Sequence, residues 1–272
     1  MRYIIMGLGR MGVAQTRIAR YYGTKVVAGI DCDAEAREFF ETEFEVKAYA
    51  APGDVPQSLW NAADVVWITV PDRAIAACAQ EVAPYASHAM VVHTSGATPY
   101  TVLGSCGAMR GSIHPLVNCP KKECSDSSCV EGYRDVLYAI DGDPEAVESI
   151  EKMISRVRGI PIEVDADKRS LYHAAAVFSS NYPIVLADIT QKLLISCGFD
   201  DDLARRASCS LLSHAAYAVA KSTPIDALTG PAKRNDLPTI QGHIEALKNF
   251  NDGEYVEVYE VLLRMAQAMC HR

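Results

Sequence analysis

Short apolar runs alternate with stretches of helical periodicity along residues 1–165. Tyr3 to Met6 is apolar and opens onto Gly7-Leu8-Gly9-Arg10-Met11-Gly12, after which apolar positions recur at helical spacing. Lys25 to Ile30 is a second apolar run, closed by Asp31, and Asp33-Ala34-Glu35-Ala36 reads as a capped helix start. Ala63 to Val70 is almost continuously apolar, as a strand covered on both faces must be, and it stops at Pro71-Asp72. Arg73 to Val82 then reads as a helix capped by Asp72. Met90 to Val92 and Gly111 to Ile113 are two further strands. A strand Val136 to Ile140, a helix Glu145 to Arg158 and a strand Pro161 to Val164 repeat the pattern and extend the same sheet. Past Asp165 the strand patterns stop. Lys168 to Ser196, Leu203 to Lys221, Leu237 to Asn249 and Tyr255 to Cys270 carry helical periodicity, punctuated by Gly198 and Pro224. The change of texture predicts an α/β domain over 1–165 and an all-α domain over 166–272.

The glycine turn between the first strand and the first helix has G-x-G-x-x-G spacing, the pattern of a dinucleotide-phosphate cradle. Gly7 permits the tight turn, Gly9 lets the backbone approach a pyrophosphate, and Gly12 lets the helix pack close to the strand, with Leu8, Arg10 and Met11 completing the loop. The unpaired N–H groups of the helix start face the phosphates. Asp31 follows Gly12 by 19 positions, where a carboxylate meets the adenosine ribose and repels a 2′-phosphate, so NAD is favoured over NADP. Asp33 is an alternative ribose partner, and Arg37 is placed to reach a phosphate instead. Strand ends mark the ligand side of an open α/β sheet, which brings Val70, Pro71, His93 and Ser95 to the cofactor.

Composition narrows the partners. A net charge of −8 without any Lys/Arg-rich run argues against nucleic-acid and anionic-membrane surfaces and leaves a small molecule as the expected partner. No apolar run reaches membrane-spanning length, and no signal-peptide pattern opens the chain, so a cytoplasmic location is expected. Nine scattered cysteines then read as reduced thiols. His114, Cys119, Cys124 and Cys129 bear metal-binding groups, but two successive four-residue gaps are not the usual zinc knuckle, and no metal is expected.

Hydride exchange with a carbonyl needs a proton donor or acceptor at the oxygen, and histidine titrates in the useful range. His114, in Ile113-His114-Pro115-Leu116, is the first candidate, with a loop-binding structural histidine as the alternative. Ser95 is placed to hydrogen-bond a substrate carboxylate or the nicotinamide carboxamide. His173, Val177 and Asn181 stand four apart on one helix face, which borders either a cavity or a partner domain, and Pro183 predicts a kink just beyond. Thr229-Gly230-Pro231-Ala232-Lys233-Arg234 is a rigid turn with cations; Arg234 or Lys233 would read a substrate carboxylate, unless Arg234 and Asp236 hold the loop to its own domain. Thr239 and His243 share one helical face beside it.

With the glycine turn, Thr69-Val70-Pro71-Asp72, His93-Thr94-Ser95-Gly96, His114-Pro115-Leu116, the Asp167 to Tyr182 helix and Thr229 to Asp236 in this order, the chain resembles the Rossmann-like oxidoreductases that carry a C-terminal helical domain of unknown function. It is similar to the deazaflavin-dependent NADP oxidoreductases at its N-terminus and to the 6-phosphogluconate dehydrogenase-like group at its C-terminus. The resemblance implies an α/β Rossmann dinucleotide-binding domain followed by an all-α 6-phosphogluconate dehydrogenase-like C-terminal domain, which makes a homodimer and closes the cleft. His114-Pro115 is similar to the His-Pro turn of prephenate dehydrogenases, whose histidine assists hydride transfer, although the glycine usual after that turn is missing. The β-hydroxyacid dehydrogenases carry a lysine four residues before an asparagine on the interdomain helix. Val177 stands there here, so that lysine does not carry over. The resemblance also implies NADP through a basic residue after the second strand, from which Asp31-Cys32-Asp33 departs.

The expectation is an NAD(P)-dependent dehydrogenase acting on a small carboxylate-bearing carbonyl, imine or alcohol, with His114, Ser95, His173 and Asn181 at the chemistry and Arg234, Lys233, Thr229 and His243 at the substrate. The alternatives are a dinucleotide-binding regulator without chemistry and a reductase that exchanges hydride with a flavin or deazaflavin.

Overall fold

The structure, a computed structural model, describes residues 1–119 and 128–270. Strands β1 (Arg2–Met6), β2 (Lys25–Ile30), β3 (Ala48–Tyr49), β4 (Val65–Ile68), β5 (Met90–His93), β6 (Met109–Pro115), β7 (Leu137–Gly142) and β8 (Ile160–Glu163) form one sheet. Its spatial order is β3-β2-β1-β4-β5-β6-β7-β8, and every neighbouring pair is parallel except β6 with β7. The two halves of the sheet run outward from β1 and β4, the topological switch at which such sheets bind ligands.

Burial on both faces explains why the central strands are apolar throughout. Successive side chains alternate between faces. Ile5, Val65 and Val92 enter one core with Phe40 and Ile150, whereas Ile4, Val66 and Val91 enter the other with Trp60 and Ile75. Helices α1 (Arg10–Tyr21), α2 (Ala34–Phe44), α3 (Ile75–Val82) and α4 (Pro144–Arg156) belong to this α/β part. Asp33 caps α2 by accepting from Glu35 N–H at 3.0 Å. Asp72 does not cap the helix expected after it: a 3-10 turn, Asp72–Ala74, intervenes before α3, and neither segment has a side-chain cap. Strand β3 escapes a periodicity reading because it has only two residues, Ala48 and Tyr49, opposite Gly29 and Ile30.

The chain divides into two compact units, Met1–Ser180 and Asn181–Arg272. The last strand ends at Glu163, close to the change of texture in the sequence, and the units divide within α5 (Arg169–Ser196), a helix that continues through Pro183. The second unit adds α6 (Asp201–Lys221), α7 (Leu237–Lys248) and α8 (Val256–Cys270), with no strand among its described residues. Asp200 and Asp236 cap α6 and α7. Among the described residues no helix is long and apolar enough to cross a membrane.

Where β1 passes into α1, the packing is tight. A Cβ on Gly12 would lie 2.0 Å from the Gly7 carbonyl oxygen, whereas one on Gly9 meets nothing within 4 Å. Gly12→Ala is therefore expected to cost about 1–3 kcal/mol, because backbone cannot yield as a flexible side chain does. Thermal unfolding checks this: Gly12→Ala melts several degrees lower, and Gly9→Ala melts with the parent.

Candidate functional site

Three strand ends build the glycine turn. Gly7 sits at φ +97°, and a Cβ there would lie 2.8 Å from both the Thr69 carbonyl carbon and Val70 Cγ1, so only glycine fits between β1 and the end of β4. Gly7 N–H donates to the Ile30 carbonyl at 2.8 Å, and Thr69 Oγ1 donates to the Gly7 carbonyl at 2.6 Å. Asp31 accepts from Leu8 N–H at 2.7 Å through one oxygen and from Asp33 N–H at 2.9 Å through the other. Its carboxylate thus shapes the turn. Arg37 donates to the Asp31 and Cys32 carbonyls at 2.8 and 2.9 Å, which brings a guanidinium to the end of β2 as well.

Helix α1 has Gly9 as its N-cap, no side-chain cap and no acid in its first turn. Its leading N–H groups and positive dipole end are left for an outside anion. The space beside Gly9 that a Cβ would fill is open. These features fit the pyrophosphate of a dinucleotide, with Leu8, Arg10 and Met11 around it. Val70 is half-buried and Pro71 exposed at the neighbouring strand end.

A row of polar side chains crosses the sheet nearby. His93, Ser112 and Asp141 stand opposite one another on β5, β6 and β7, and all three are buried. Cross-strand partners share a face, and so does His114, two residues beyond Ser112. His93 has no exposed surface; its Nδ1 accepts from Ser95 N–H at 3.2 Å, and Nε2 faces the Pro99 carbonyl at 3.4 Å. Burial pushes its pKa down to about 4. Ser95 Oγ accepts from Thr98 N–H at 3.0 Å and bonds Thr98 Oγ1 at 3.0 Å. The register of β5 turns His93 inward, and both side chains bond within the 93–99 turn.

His114 is partly buried, with Nδ1 2.7 Å from Tyr172 Oη. Burial, helped by His173 and Arg169, pushes its pKa down to about 4, and burial raises that of Tyr172 to about 12. Where the Tyr172 hydroxyl donates to Nδ1, the ring proton resides on Nε2. His173 lies edge-on to His114, ring centroids 5.7 Å apart, and its Nδ1 is buried without a hydrogen-bond partner among the described residues. Gly96 closes the cluster: a Cβ there would be 2.6 Å from His173 Nδ1 and 2.9 Å from His114 Cε1.

Beneath these rings lies Arg169, the first residue of α5, with no exposed surface. Its Nη1 is 3.1 Å from Asp141 Oδ1, and Nη2 donates to the Ser95 carbonyl at 3.0 Å. Asp141 also accepts from Ser112 Oγ and, at 3.2 Å, from Tyr100 N–H. Sequence reasoning missed Arg169, Tyr172, Ser112 and Asp141 as site residues. Arg169 beside Lys168 reads as a solvated pair; the available signal was its spacing of three and four from Tyr172 and His173.

The remaining expected residues belong to the second unit. Asn181 is exposed at its start, and Arg234 is exposed at the end of the turn Gly230–Arg234. Lys233 Nζ donates to the Ile225 carbonyl at 3.0 Å, and Thr239 Oγ1 to Asp236 at 2.9 Å, so both polar groups serve the fold of their own unit. Thr229 precedes the turn without a side-chain cap bond, and His243 Nδ1 lies 2.8 Å from Tyr259 Oη. The structure thus brings His114 and His173 together, and places Asn181, Thr229, Lys233, Arg234 and His243 in the other unit. Of the thiols near His114, Cys119 accepts from Tyr133 Oη at 3.4 Å; Cys124 and the Cys129 side chain lie outside the described residues.

Residues 136–266 match the family model for a domain of unknown function, DUF2520, a segment that begins at β7 and so includes the last two strands of the sheet. No curated protein matches the chain. Among solved structures, protein BF3122 from Bacteroides fragilis, provisionally named an NADP oxidoreductase, is 20% identical with a TM-score of 0.82, covering 98% of each chain. Protein TM1727 from Thermotoga maritima is 20% identical with a TM-score of 0.72, over 99% of this chain and 98% of its own. The pyrroline carboxylate reductase of Plasmodium falciparum with NADP bound is 14% identical with a TM-score of 0.64, over 99% and 98%. The chain therefore shares the fold of these structures, and its residues 136–266 are similar to DUF2520.

Proposed function

We propose that the protein is an NAD(P)-dependent oxidoreductase acting on a small carbonyl, imine or alcohol substrate that bears a carboxylate. The observation that carries this reading is the His114, Tyr172 and His173 cluster on the same sheet edge as the glycine cradle. Strands β1, β4, β5 and β6 are parallel, so their C-terminal ends share an edge, and β1 to β6 spans three strand spacings, about 14 Å. A dinucleotide held at Gly7 to Gly12 supplies hydride exchange at its nicotinamide end. The name of the pyrroline carboxylate reductase, a carboxylate-bearing substrate on the same fold, supports the substrate class.

In this reading His114 acts as an uncharged polariser. Tyr172 holds Nδ1, and the Nε2 proton hydrogen-bonds the substrate oxygen or nitrogen, stabilising the charge that develops there. Solvent provides the proton that completes the product. Gly96 and His173 wall the ring in and hold it in one rotamer. Arg234 offers a guanidinium suited to a carboxylate, exposed in the second unit. Asp31 favours NAD by charge, while Arg37 beside it is the residue that would receive a 2′-phosphate. Exposed apolar side chains on the second unit, among them Leu211, Tyr217, Leu262 and Met265, support a homodimer through the C-terminal helices.

Calorimetric titration with NAD⁺, NADH, NADP⁺ and NADPH is expected to give tightest binding with NADH, and Gly9→Ala to lose most of it by filling the cradle. Tighter NADPH binding would assign the ribose end to Arg37. Binding without turnover on any carbonyl or imine panel would favour the regulator.

His114→Ala is expected to lower kcat by roughly 10²-fold with dinucleotide affinity unchanged, and His114→Gln, which keeps a donor, to lose less. Because the His114 pKa lies at about 4, kcat should be flat through pH 6.5 and fall only toward pH 4. An inflection near 6.5 that disappears in His114→Ala would refute the polariser role. Stability follows the same groups. The unfolded chain takes up protons on His93 and His114 below about 6.5, whereas the fold resists until about 4. The melting temperature should therefore decline as pH falls through that window.

Sedimentation at micromolar concentration is expected to give twice the mass of one chain, and Leu211→Glu with Met265→Glu to give one; a monomeric parent would exclude the dimer.

A further inference from the structure

Arg169 is costly to bury. Taking an ion pair out of water costs several kcal/mol per ion, and well-packed apolar residues usually stabilise such a place as well or better. The guanidinium is also only partly matched: Nη1 lies within ion-pair distance of Asp141, yet Nη1 and Nε are aligned on no acceptor. A residue kept solely for stability would be expected to fill its hydrogen bonds more completely. What Arg169 does hold is geometry.

Two objects are fixed by it. The first is the start of α5: Tyr172 and His173 follow at i+3 and i+4, on the same helix face, so the rotation that seats Arg169 over Asp141 also seats both rings against His114. A slip of one residue would turn that face by about 100° and remove the 2.7 Å bond from Tyr172 to His114 Nδ1. The second is the 95–96 peptide. Arg169 holds the Ser95 carbonyl at 3.0 Å, and in a trans peptide the next N–H points the opposite way, so Gly96 N–H is aimed away from Arg169 while the Gly96 Cα packs on His114 and His173.

We infer that Arg169, with Asp141 as its counter-ion, is a positioning residue for His114: it sets the register of α5 so that Tyr172 fixes the His114 tautomer with the proton on Nε2. The role rests on the oxidoreductase reading only for its effect on turnover; the tautomer itself is a property of the protein alone. The charged and titratable groups around His114 are His173, Arg169 and Tyr172 from α5 and Asp72 from the 3-10 turn that follows β4.

The test uses the full chain and four variants: Arg169→Lys, Tyr172→Phe, their combination, and Arg169→Met with Asp141→Asn. Ring-nitrogen chemical shifts of His114 report the tautomer without any substrate. Arg169→Lys keeps the charge but not the planar fork, and it should convert a single Nε2–H tautomer into a mixture and lower kcat at least tenfold, with KM and dinucleotide affinity within threefold of the parent. Because Arg169 acts through Tyr172, the combined variant should lose no more kcat than the larger single loss. The Met/Asn pair removes both charges together. It should melt near the parent yet show the mixed tautomer, which separates positioning from stability. The inference is overturned if Arg169→Lys leaves the tautomer unchanged, if the losses of Arg169→Lys and Tyr172→Phe multiply, or if the Met/Asn pair restores both melting temperature and tautomer. A parent that binds dinucleotide without turnover sinks the oxidoreductase reading, while the shifts of His114 still decide the role of Arg169.

Discussion

A guanidinium with no exposed surface organises the functional edge of this protein. Strands covered on both faces cannot hold unpaired polar groups, and the sheet obeys this rule along most of its width. The row His93, Ser112 and Asp141 departs from it, and Arg169 is what makes the departure tolerable. Asp141 would otherwise be a carboxylate among apolar neighbours with only Ser112 and Tyr100 N–H to satisfy it. Once Arg169 is seated there, α5 has one register, and the Tyr172 and His173 rings have one place to go. The same seat ties the 93–99 turn to the helix through the Ser95 carbonyl.

The cradle at Gly7 to Gly12 is built on the opposite principle. Its specificity is local: a positive φ at Gly7, a backbone oxygen 2.0 Å from any Cβ on Gly12, and open space at Gly9. Local constraints leave local marks, which is why the turn, its helix and Asp31 were legible from spacing alone. Burial on both faces marks strands in the same way, so β1, β4 and β5 could be read from apolar runs. Strand β3 could not, since two residues carry no period, and the Asp72 cap failed because a 3-10 turn separates it from α3. Those are questions of a few residues' backbone path, on which residue type is nearly silent.

The His114 cluster was half legible for a different reason. A histidine before a proline at a strand end marks a candidate, but its protonation depends on what folds over it. His93 shows the limit most clearly. It has the same residue type and the same position at a strand end, yet β5 register directs it inward to Ser95 N–H and Pro99. Arg169 and Asp141, 28 positions apart in sequence, leave no trace of their pairing in periodicity or spacing. The information was in the chain, but only as tertiary contact.

Neutrality of His114 follows from burial. Desolvation decides the charge of His114 in favour of the uncharged ring, and His173 and Arg169 push the same way. An uncharged ring still donates a hydrogen bond to an oxygen that gains negative charge. It also leaves the oxygen's developing negative charge to be met by fixed donors that need no reorganisation when the bond order changes. A cationic histidine would bind a carboxylate or a carbonyl oxygen indiscriminately in the ground state; a neutral donor strengthens mainly as charge accumulates, which is the difference that lowers a barrier. On the proposed reading, the burial that lowers the His114 pKa supplies the kind of donor that hydride transfer to a polar double bond uses.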